Sequence, residues 1–330
     1  MSRRTFLQQT SALGAASLFG FPGPAAAEPP PEITKLRLVA IPAICFAPKY
    51  IAEPLLRAEG FTEIEYVKHP NTTPLNDVIT GRADINMEAI GPLIVHIDAG
   101  RPIVALAGVH MGCYQLFGND RVHTIRDLAG KTVPIDDYGG AQHVFISGMA
   151  AYVGLNPRTD INWVVHQSTT AMKLFEDGKV DAFLGFPPEP QELIEKKIGH
   201  LVMSTATDRP WSNYYCCMLV ANPEFVRKHP VATKRAMRAI LKAADLCADQ
   251  PERAARMIVD RGFADRYDYA LSALKDVPYR AWRTYDPTDS MRFTALRLLD
   301  VGMIKSTPQK IIDTGTDWRF LNELKKELKA

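Results

Sequence analysis

The hydrophobic positions of residues 35–109 fall into two kinds of run. Short apolar runs bounded by glycine and polar residues are typical of buried strands, and longer segments with apolar residues at helical spacing are typical of helices. Their alternation predicts an α/β fold in which short crossover helices join the strands of a sheet. The predicted strands are Leu36 to Ile41, Ile64 to Val67, one beginning at Ala83 to Asn86, and Ile103 to Val109, and the predicted helices are Pro48 to Glu59 and Pro74 to Thr80.

One pattern occurs twice along the chain. Residues 75–85 and residues 173–183 both run in the order helix, glycine, basic residue, small residue, aspartate and short apolar strand. In each copy the glycine, Gly81 or Gly178, is expected to end the helix in a left-handed turn. Two such units about 100 residues apart predict two similar lobes that face each other.

The chain after residue 222 has helical periodicity without obvious strands. Ala236, Ile240, Ala243 and Cys247 form one apolar stripe, and the opposite basic face of that helix is interpreted as solvated. The predicted helices of this region are Ala232 to Cys247, Pro251 to Asp260, Tyr267 to Lys275, Thr288 to Val301 and Trp318 to Lys329.

The first 27 residues have the composition of a signal peptide. Arg3-Arg4 are followed by an apolar run, Ser11 to Phe21, and by the small-residue site Ala25 to Ala27. The start, Ser2 to Leu7, resembles a twin-arginine export signal. We therefore predict a twin-arginine signal at residues 1–27, cleavage near Ala27, a Pro-rich linker at 28–34, and a periplasmic protein.

Charge and cysteine content limit the partners and the metal sites that the chain is expected to have. The chain has 39 basic and 37 acidic residues, and two of the basic ones, with no acidic ones, lie in the predicted signal. The resulting neutral surface predicts no nucleic-acid partner. The five cysteines include no CxxC pair and no Cys/His group with the spacing of zinc ligands. Free buried thiols, no metal and no cofactor are predicted.

Several stretches resemble a known family. They are residues 81–85 (Gly-Arg-Ala-Asp-Ile), 100–107, 125–133 and 222–230. Their order over most of the chain is similar to that in the substrate-binding proteins of nitrate, sulfonate and taurine importers, a family that includes binders of thiamine-pyrimidine precursors. One departure is Ala129, where the family usually has lysine.

The resemblance implies the type II periplasmic binding protein fold, with two α/β lobes joined by a two-segment hinge. Lobe I would combine residues 35–114 and 216–330, and lobe II would be residues 115–215. The hinge segments, 113–117 and 214–219, are expected to be adjacent strands. Because adjacent strands lie ~4.8 Å apart, a disulfide from Cys113 to Cys216 or Cys217 is an alternative to free thiols.

The resemblance also implies a receptor without chemistry of its own. The lobes would close around a small molecule by hinge motion, and the closed monomer would dock on an ABC permease driven by a separate ATPase. One alternative is a periplasmic sensing module. Another is an enzyme like the pyrimidine synthases, but their Cys-rich run has no counterpart here, and no Gly-x-Ser-x-Gly or phosphate-loop motif is present.

The ligand site is predicted from the general position of sites in α/β sheets, beyond the carboxyl ends of strands. Glycines there allow close backbone approach, and a helix beginning near Ala141 would direct free N–H groups into the cleft. For the aromatic residues and the glycines of this set, ordinary packing or a plain turn is the alternative, and for the two glutamates it is solvent exposure or helix capping. The predicted ligand-binding residues are Cys45, Phe46, Glu88, Ala89, Tyr114, Gly139, Gly140, Ala141, Gln142, Phe186, Glu189, Trp211 and Asn213.

The chemistry of these loops favours one ligand class. Acidic residues outnumber Lys49, so a neutral or cationic aromatic nitrogen compound is expected rather than nitrate or a sulfonate. Aromatic side chains at positions 46, 114, 186 and 211 are expected to stack on a flat ring. His69, His96 and His166 show no partner spacing and are expected to have structural roles.

Overall fold

The structure is a computed structural model that describes residues 28–68 and 73–329. The predicted signal peptide and His69 lie outside these ranges. Residues 28–34 form neither helix nor strand, and Glu32 accepts the backbone N–H groups of Val231 and Ala232 at 2.9 and 2.8 Å. Within the described part of the chain, no helix has the length and apolar character needed to cross a bilayer.

The first sheet has five strands in the order β2-β1-β3-β10-β4. Strand β1 is parallel to β2 and β3, whereas β10 lies antiparallel between β3 and β4. Strands β10 and β4 are buried along their whole length, in agreement with their nearly continuous apolar sequence. The five strands are β1 (Lys35–Val39), β2 (Glu63–Val67), β3 (Ile85–Ala89), β4 (Val104–Met111) and β10 (Tyr215–Ala221).

The intervening chain forms two smaller sheets. One is antiparallel in the order β8-β5-β9, and the other is the parallel pair β6-β7. The chain crosses from the first sheet to these sheets through residues 112–114 and returns through residues 205–214. The strands are β5 (Gln115–Gly118), β6 (Lys131–Ile135), β7 (Ile161–Val165), β8 (Ala182–Gly185) and β9 (His200–Ser204).

Fourteen α-helices are described. They are α1 (Ala47–Ile51), α2 (Glu53–Ala58), α3 (Pro74–Ile79), α4 (Ile90–Asp98), α5 (Ala141–Tyr152), α6 (Ser168–Glu176), α7 (Glu189–Lys196), α8 (Pro223–Lys228), α9 (Pro230–Asp249), α10 (Pro251–Asp260), α11 (Tyr267–Asp276), α12 (Pro287–Asp300), α13 (Pro308–Gly315) and α14 (Arg319–Glu327).

The predicted helix over Pro48 to Glu59 is divided in two. Pro54 has no N–H to donate to the carbonyl oxygen of Tyr50, so the hydrogen-bond ladder is interrupted between α1 and α2. That carbonyl oxygen instead accepts from Arg261 at 2.8 Å. The other helix predicted in this region, Pro74 to Thr80, is found as α3, whereas α4 was not predicted.

The repeated helix–glycine–strand order is confirmed. Helix α3 is followed by Gly81 with φ +74° and then by β3, and α6 is followed by Gly178 with φ +68° and then by β8. Both glycines have the left-handed conformation that a side chain would disfavour.

The C-terminal helices pack on the first sheet through the predicted apolar stripe of α9, which is fully buried. The interpretation of its basic face as solvated is wrong for Arg235 and Arg238. Arg238 pairs with Glu59 at 2.7 Å, and Arg235 donates to the carbonyl oxygen of Glu59 at the same distance. These side chains are only 15 and 12% exposed, because α9 packs against the end of α2.

The expectation that the two hinge segments are neighbouring strands is also wrong. Strand β5 pairs with β8 and β9, and β10 pairs with β3 and β4. The two strands belong to different sheets because the chain turns at Gly112 before β5 begins. The segments are nevertheless close in space, with the sulfur atoms of Cys113 and Cys216 3.3 Å apart.

Candidate functional site

A cleft of about 230 Å³ lies where the loops after the strands of the first sheet meet the loops of the second set of sheets. Ten of the thirteen predicted residues line it, and they come from both sets of strands. Those ten are Cys45, Phe46, Glu88, Ala89, Tyr114, Gly139, Gly140, Ala141, Gln142 and Phe186. The other lining residues are Ile41, Thr73, Pro74, Leu75, Pro92, His96, Cys113, Asp136, Asp137 and Cys217.

Three predicted residues do not line the cleft. Glu189 lies behind it, where its carboxylate accepts from the backbone N–H of Phe186 at 3.1 Å and from the hydroxyl of Ser168. Trp211 and Asn213 form a single helical turn before β10, and this turn packs toward α12. There Trp211 lines a separate cavity of about 40 Å³, so the structure does not bring this turn to the cleft.

The loop after β1 forms one wall of the cleft. Residues Ile44–Phe46 make a buried helical turn, and the backbone N–H of Ile44 donates to the carbonyl oxygen of Pro187 at 3.2 Å. Pro187 belongs to the loop after β8, so this hydrogen bond joins the two sides of the cleft.

Beneath that wall lie a buried lysine and a partly buried glutamate. Lys49 Nζ donates to the carbonyl oxygen of Val39 at 2.5 Å and to Asn86 Oδ1 at 3.1 Å. Glu88 accepts from Asn86 Nδ2 at 3.3 Å and from the backbone N–H of Ala89 at 3.0 Å. Burial lowers the pKa of Lys49 to about 7 and raises the pKa of Glu88 to about 7. Both groups therefore change charge near neutral pH.

The opposite wall is built on the beginning of α5. Gly139, with φ +88°, and Gly140 lead into this helix, whose first N–H groups have no helical acceptor. Gln142 Nε2 donates to Asp136 Oδ2 at 2.9 Å, which holds that carboxylate at the cleft. Burial raises the pKa of both Asp136 and Asp137. This wall can therefore accept hydrogen bonds from a ligand and attract positive charge.

Aromatic rings form a third side. Tyr114 lies edge-on to Phe186, with ring centroids 5.8 Å apart, and is tilted against Phe145 at 4.7 Å. The backbone of Tyr114 is fixed by the hydroxyl of Thr205, which accepts from its N–H at 2.9 Å and donates to its carbonyl oxygen at 3.0 Å. Phe46 is on the same cleft and is 8% exposed. A planar ligand would find apolar faces here.

The floor of the cleft includes sulfur. Cys45, Cys113 and Cys217 line it, and Cys216 lies directly behind. All five cysteines are buried and unbridged in the structure. The sequence spacing did not reveal this group, because its members come from three separate segments.

His96 is another lining residue that the sequence did not indicate. It lies in the last turn of α4, and burial together with Arg101 lowers its pKa. Its position in an amphipathic helix gave no signal that distinguishes a cleft residue from a structural one.

Sequence comparison connects the chain to one family. Residues 57–254 match the family described as NMT1/THI5 like. A 4-amino-5-hydroxymethyl-2-methylpyrimidine phosphate synthase of Saccharomyces cerevisiae is 21% identical over 248 residues, which cover 67% of this chain and 71% of the synthase.

Solved structures with the same fold are numerous. The periplasmic nitrate-binding protein NrtA of Synechocystis PCC 6803 superposes with a TM-score of 0.75 at 16% identity, over 91% of this chain and 90% of that protein. The alkanesulfonate-binding protein SsuA of Xanthomonas axonopodis pv. citri, bound to MOPS, gives 0.68 at 17% identity, over 85 and 96% of the two chains. A ligand-binding component of an ABC-type import system from Staphylococcus aureus gives 0.71 at 13% identity, over 88 and 99%. The chain thus has the periplasmic binding protein fold, with two α/β lobes joined by a two-segment hinge.

Proposed function

Because this chain belongs to the NMT1/THI5-like family, we propose that it is an exported solute receptor that captures a small organic molecule between its two lobes. The observation that carries the proposal is the cleft, where loops from both lobes converge on one volume of about 230 Å³. The ten predicted residues that line it are proposed as ligand contacts, with Glu189 supporting Phe186 from behind.

The proposed ligand is a neutral or cationic nitrogen compound with a flat ring. Glu88, Asp136 and Asp137 line the cleft, whereas no lysine or arginine is among its described lining residues. An anion such as nitrate or a sulfonate would face these carboxylates without a cationic partner. The rings of Phe46, Tyr114 and Phe186 offer stacking surfaces that a small inorganic anion would not use.

Delivery of the ligand to a transporter would depend on hinge motion between the two lobes. The two crossings of the chain, residues 112–114 and 205–214, are short enough to act as the hinge of a closing cleft. In the proposed cycle the closed, monomeric receptor docks on an ABC permease, whose separate ATPase drives release of the ligand. The twin-arginine signal at residues 1–27 would export the folded receptor to the periplasm.

The decisive experiment is native mass spectrometry of the mature protein purified from its own host without denaturation. We expect one bound adduct whose mass identifies a nitrogen heterocycle. A thermal-shift screen then compares pyrimidines and amines with nitrate and alkanesulfonates. Stabilisation by alkanesulfonates alone would refute the proposed ligand class, and the absence of any adduct and of any stabilising compound would count against a receptor.

A second candidate function is an enzyme that acts on a pyrimidine. One observation favours it: the curated relative that matches 67% of this chain is a pyrimidine phosphate synthase. The same native preparation distinguishes the two functions. A receptor returns its ligand with unchanged mass after prolonged incubation, whereas an enzyme converts it.

A further inference from the structure

Five buried side chains lie at the base of the cleft, and of these only Cys45 is among the proposed ligand contacts. We call the set Cys45, His110, Cys113, Cys216 and Cys217 the thiol cluster. One ligand atom from each of Cys45, His110 and Cys113 lies within 4.8 Å of the other two. The same holds for the sulfur atoms of Cys113, Cys216 and Cys217, so Cys113 belongs to both triads.

The orientation of His110 is that of a metal ligand. Its ring is completely buried, and Nδ1 lies 3.1 Å from the carbonyl oxygen of Met111. Because a carbonyl oxygen only accepts, Nδ1 carries a proton, and in the neutral ring Nε2 keeps its lone pair. Nε2 has no hydrogen-bond partner among the described residues. A histidine that donates one ring N–H to a backbone carbonyl and presents its other nitrogen is the usual arrangement in metal sites.

The backbone of β10 brings two consecutive cysteines into the cluster. Successive side chains of a regular strand point to opposite faces of a sheet. The pairing of β10 with β4 is irregular on both sides of Cys217, between Tyr215 and Cys217 and between Cys217 and Met218. These bulges turn the two thiols toward each other, and their sulfur atoms are 3.8 Å apart.

The distances suit a small thiophilic ion. Four ligands at ~2.3 Å around a tetrahedral ion lie roughly 3.8 Å from one another. The measured sulfur–sulfur distances are 3.3 Å for Cys113 and Cys216 and 3.8 Å for Cys216 and Cys217.

We propose that the thiol cluster binds one closed-shell thiophilic metal ion, Zn²⁺ or Cu⁺. Thiolate and imidazole are the donors that these two ions prefer, and calcium or magnesium would lack their oxygen ligands. Each coordinating thiol gives its proton to solvent when the ion binds. Since the donors come from the loop after β1, from β4, from the first crossing and from β10, the ion would join the first crossing to three segments of the first lobe.

The site is tested on the reduced mature protein under anaerobic conditions, in competition with chromophoric chelators of Zn²⁺ and, separately, of Cu⁺. We expect one equivalent of at least one ion to be held tightly, with a rise in the melting temperature. X-ray absorption of the loaded wild-type protein should show a sulfur-containing first shell near ~2.3 Å. A first shell of oxygen and nitrogen only would overturn the assignment.

Matched variants locate the ion. Cys113→Ser removes the thiol shared by both triads and should weaken binding more than about 100-fold, and His110→Gln should weaken it about 10-fold or more. Cys247→Ala removes an equally buried thiol of α9 outside the cluster and should bind as the wild type does. Equal affinities of the Cys113→Ser and Cys247→Ala variants would overturn the proposal.

If a cluster variant does not fold, chelator competition on the wild-type protein still tests the proposal. Reduced wild type that loses the ion to the weakest chelator has no such site. Peptide mapping of untreated protein adds one more outcome: a Cys113–Cys216 disulfide, with no metal bound after its reduction, would also overturn the proposal. A protein that binds an organic ligand but no metal would leave the receptor function intact.

Discussion

Asp84 and Asp181 occupy equivalent positions in the two lobes. Asp84 accepts the backbone N–H of Arg37 at 2.7 Å and donates its own N–H to the carbonyl oxygen of the same residue at 2.8 Å. Asp181 does the same with Thr132, at 2.8 Å in both directions. Each carboxylate also pairs with an arginine, Arg37 or Arg121. The repeated glycine–basic–small–aspartate pattern therefore encodes a clamp, in which the aspartate before β3 or β8 is hydrogen-bonded to the backbone of β1 or β6.

The clamp makes a prediction about acid stability. Burial alone would raise the pKa of Asp181, but hydrogen bonds from Thr132, Asn119 and Arg121 hold it below its ordinary value of 3.8. A carboxyl with a depressed folded-state pKa stabilises the fold above its unfolded pKa, and the contribution is lost as the pH falls through the folded value. We expect Asp181→Asn to lower the free energy of unfolding by about 1–3 kcal/mol at pH 7, measured by urea denaturation.

The difference between Asp181→Asn and wild type should shrink as the pH falls below about 4. Asp120→Asn changes an exposed carboxylate of the same lobe and should have little effect at any pH. A difference that stays constant down to strongly acidic pH would show that the ionised form of Asp181 is not what stabilises the fold.

Glu88 predicts a second pH dependence of opposite sign. Its pKa is raised to about 7 in the folded protein, from an ordinary value of 4.5. Between these values the folded protein retains a proton that the unfolded chain has lost, so stability falls as the pH rises from about 4.5 to 7. Glu88→Gln should abolish this loss of stability, which in the wild type reaches up to about 3 kcal/mol at pH 7. Melting temperatures of wild type and variant across that range provide the measurement, and parallel curves would contradict it.

The sequence predicted the elements that depend on local signals. Helix α10 begins at Pro251 and ends at Asp260, as predicted, because a proline opens it and a glycine follows soon after. The loops at the carboxyl ends of strands were also found from topology alone, and ten of their residues line the cleft.

Packing between distant segments could not be predicted from the sequence. The turn at Trp211 was assigned to the cleft, but it packs on Phe293 of α12, with ring centroids 5.7 Å apart. The thiol cluster was missed because a bulge in β10 and the register with β4 set its geometry, and neither is visible as a spacing of cysteines.

The aromatic wall predicts a loss of affinity. Phe186→Ala removes the ring that lies against Tyr114 and should weaken the binding of an aromatic ligand by about 1–2 kcal/mol, or roughly 5- to 30-fold. Isothermal titration calorimetry with the ligand found by mass spectrometry gives the comparison. Asn213→Ala, in the turn away from the cleft, is the control and should bind normally; an equal loss in both variants would place the ligand elsewhere.

Gly91 predicts a variant that acts on closure without touching the ligand. A Cβ added to this residue of α4 would lie 2.4 Å from Cγ1 of Val144 on α5, so the close packing of these two helices requires glycine here. Gly91→Val should force these helices apart and weaken ligand binding about 10-fold or more through strain in the closed form. Small-angle scattering should show a larger radius of gyration with ligand present.

Gly148→Ala is the matched control for Gly91→Val. Gly148 also lies in α5, but its added Cβ would be 3.8 Å from Arg297, an ordinary contact. This variant should keep wild-type affinity and gain up to about 1 kcal/mol from helix propensity. Wild-type affinity in Gly91→Val would mean that α4 and α5 do not need to approach for binding.

The proposed export signal makes the last prediction. Replacing Arg3 and Arg4 with lysines keeps the charge of residues 1–27 but removes the pair that the twin-arginine pathway requires. The variant should accumulate in the cytoplasm with its signal uncleaved, as followed by cell fractionation and immunoblotting. Normal processing of the lysine variant would assign export to another route.

The position of β10 between β3 and β4 has a consequence for the order in which the molecule is made. During synthesis, β3 and β4 emerge long before β10, and the whole of the second lobe is translated in between. Until residue 221 has emerged, both strands present bare edges with unpaired backbone groups. The second lobe can thus finish folding first. The first sheet is completed later, when β10, which follows the whole second lobe in the sequence, inserts between β3 and β4.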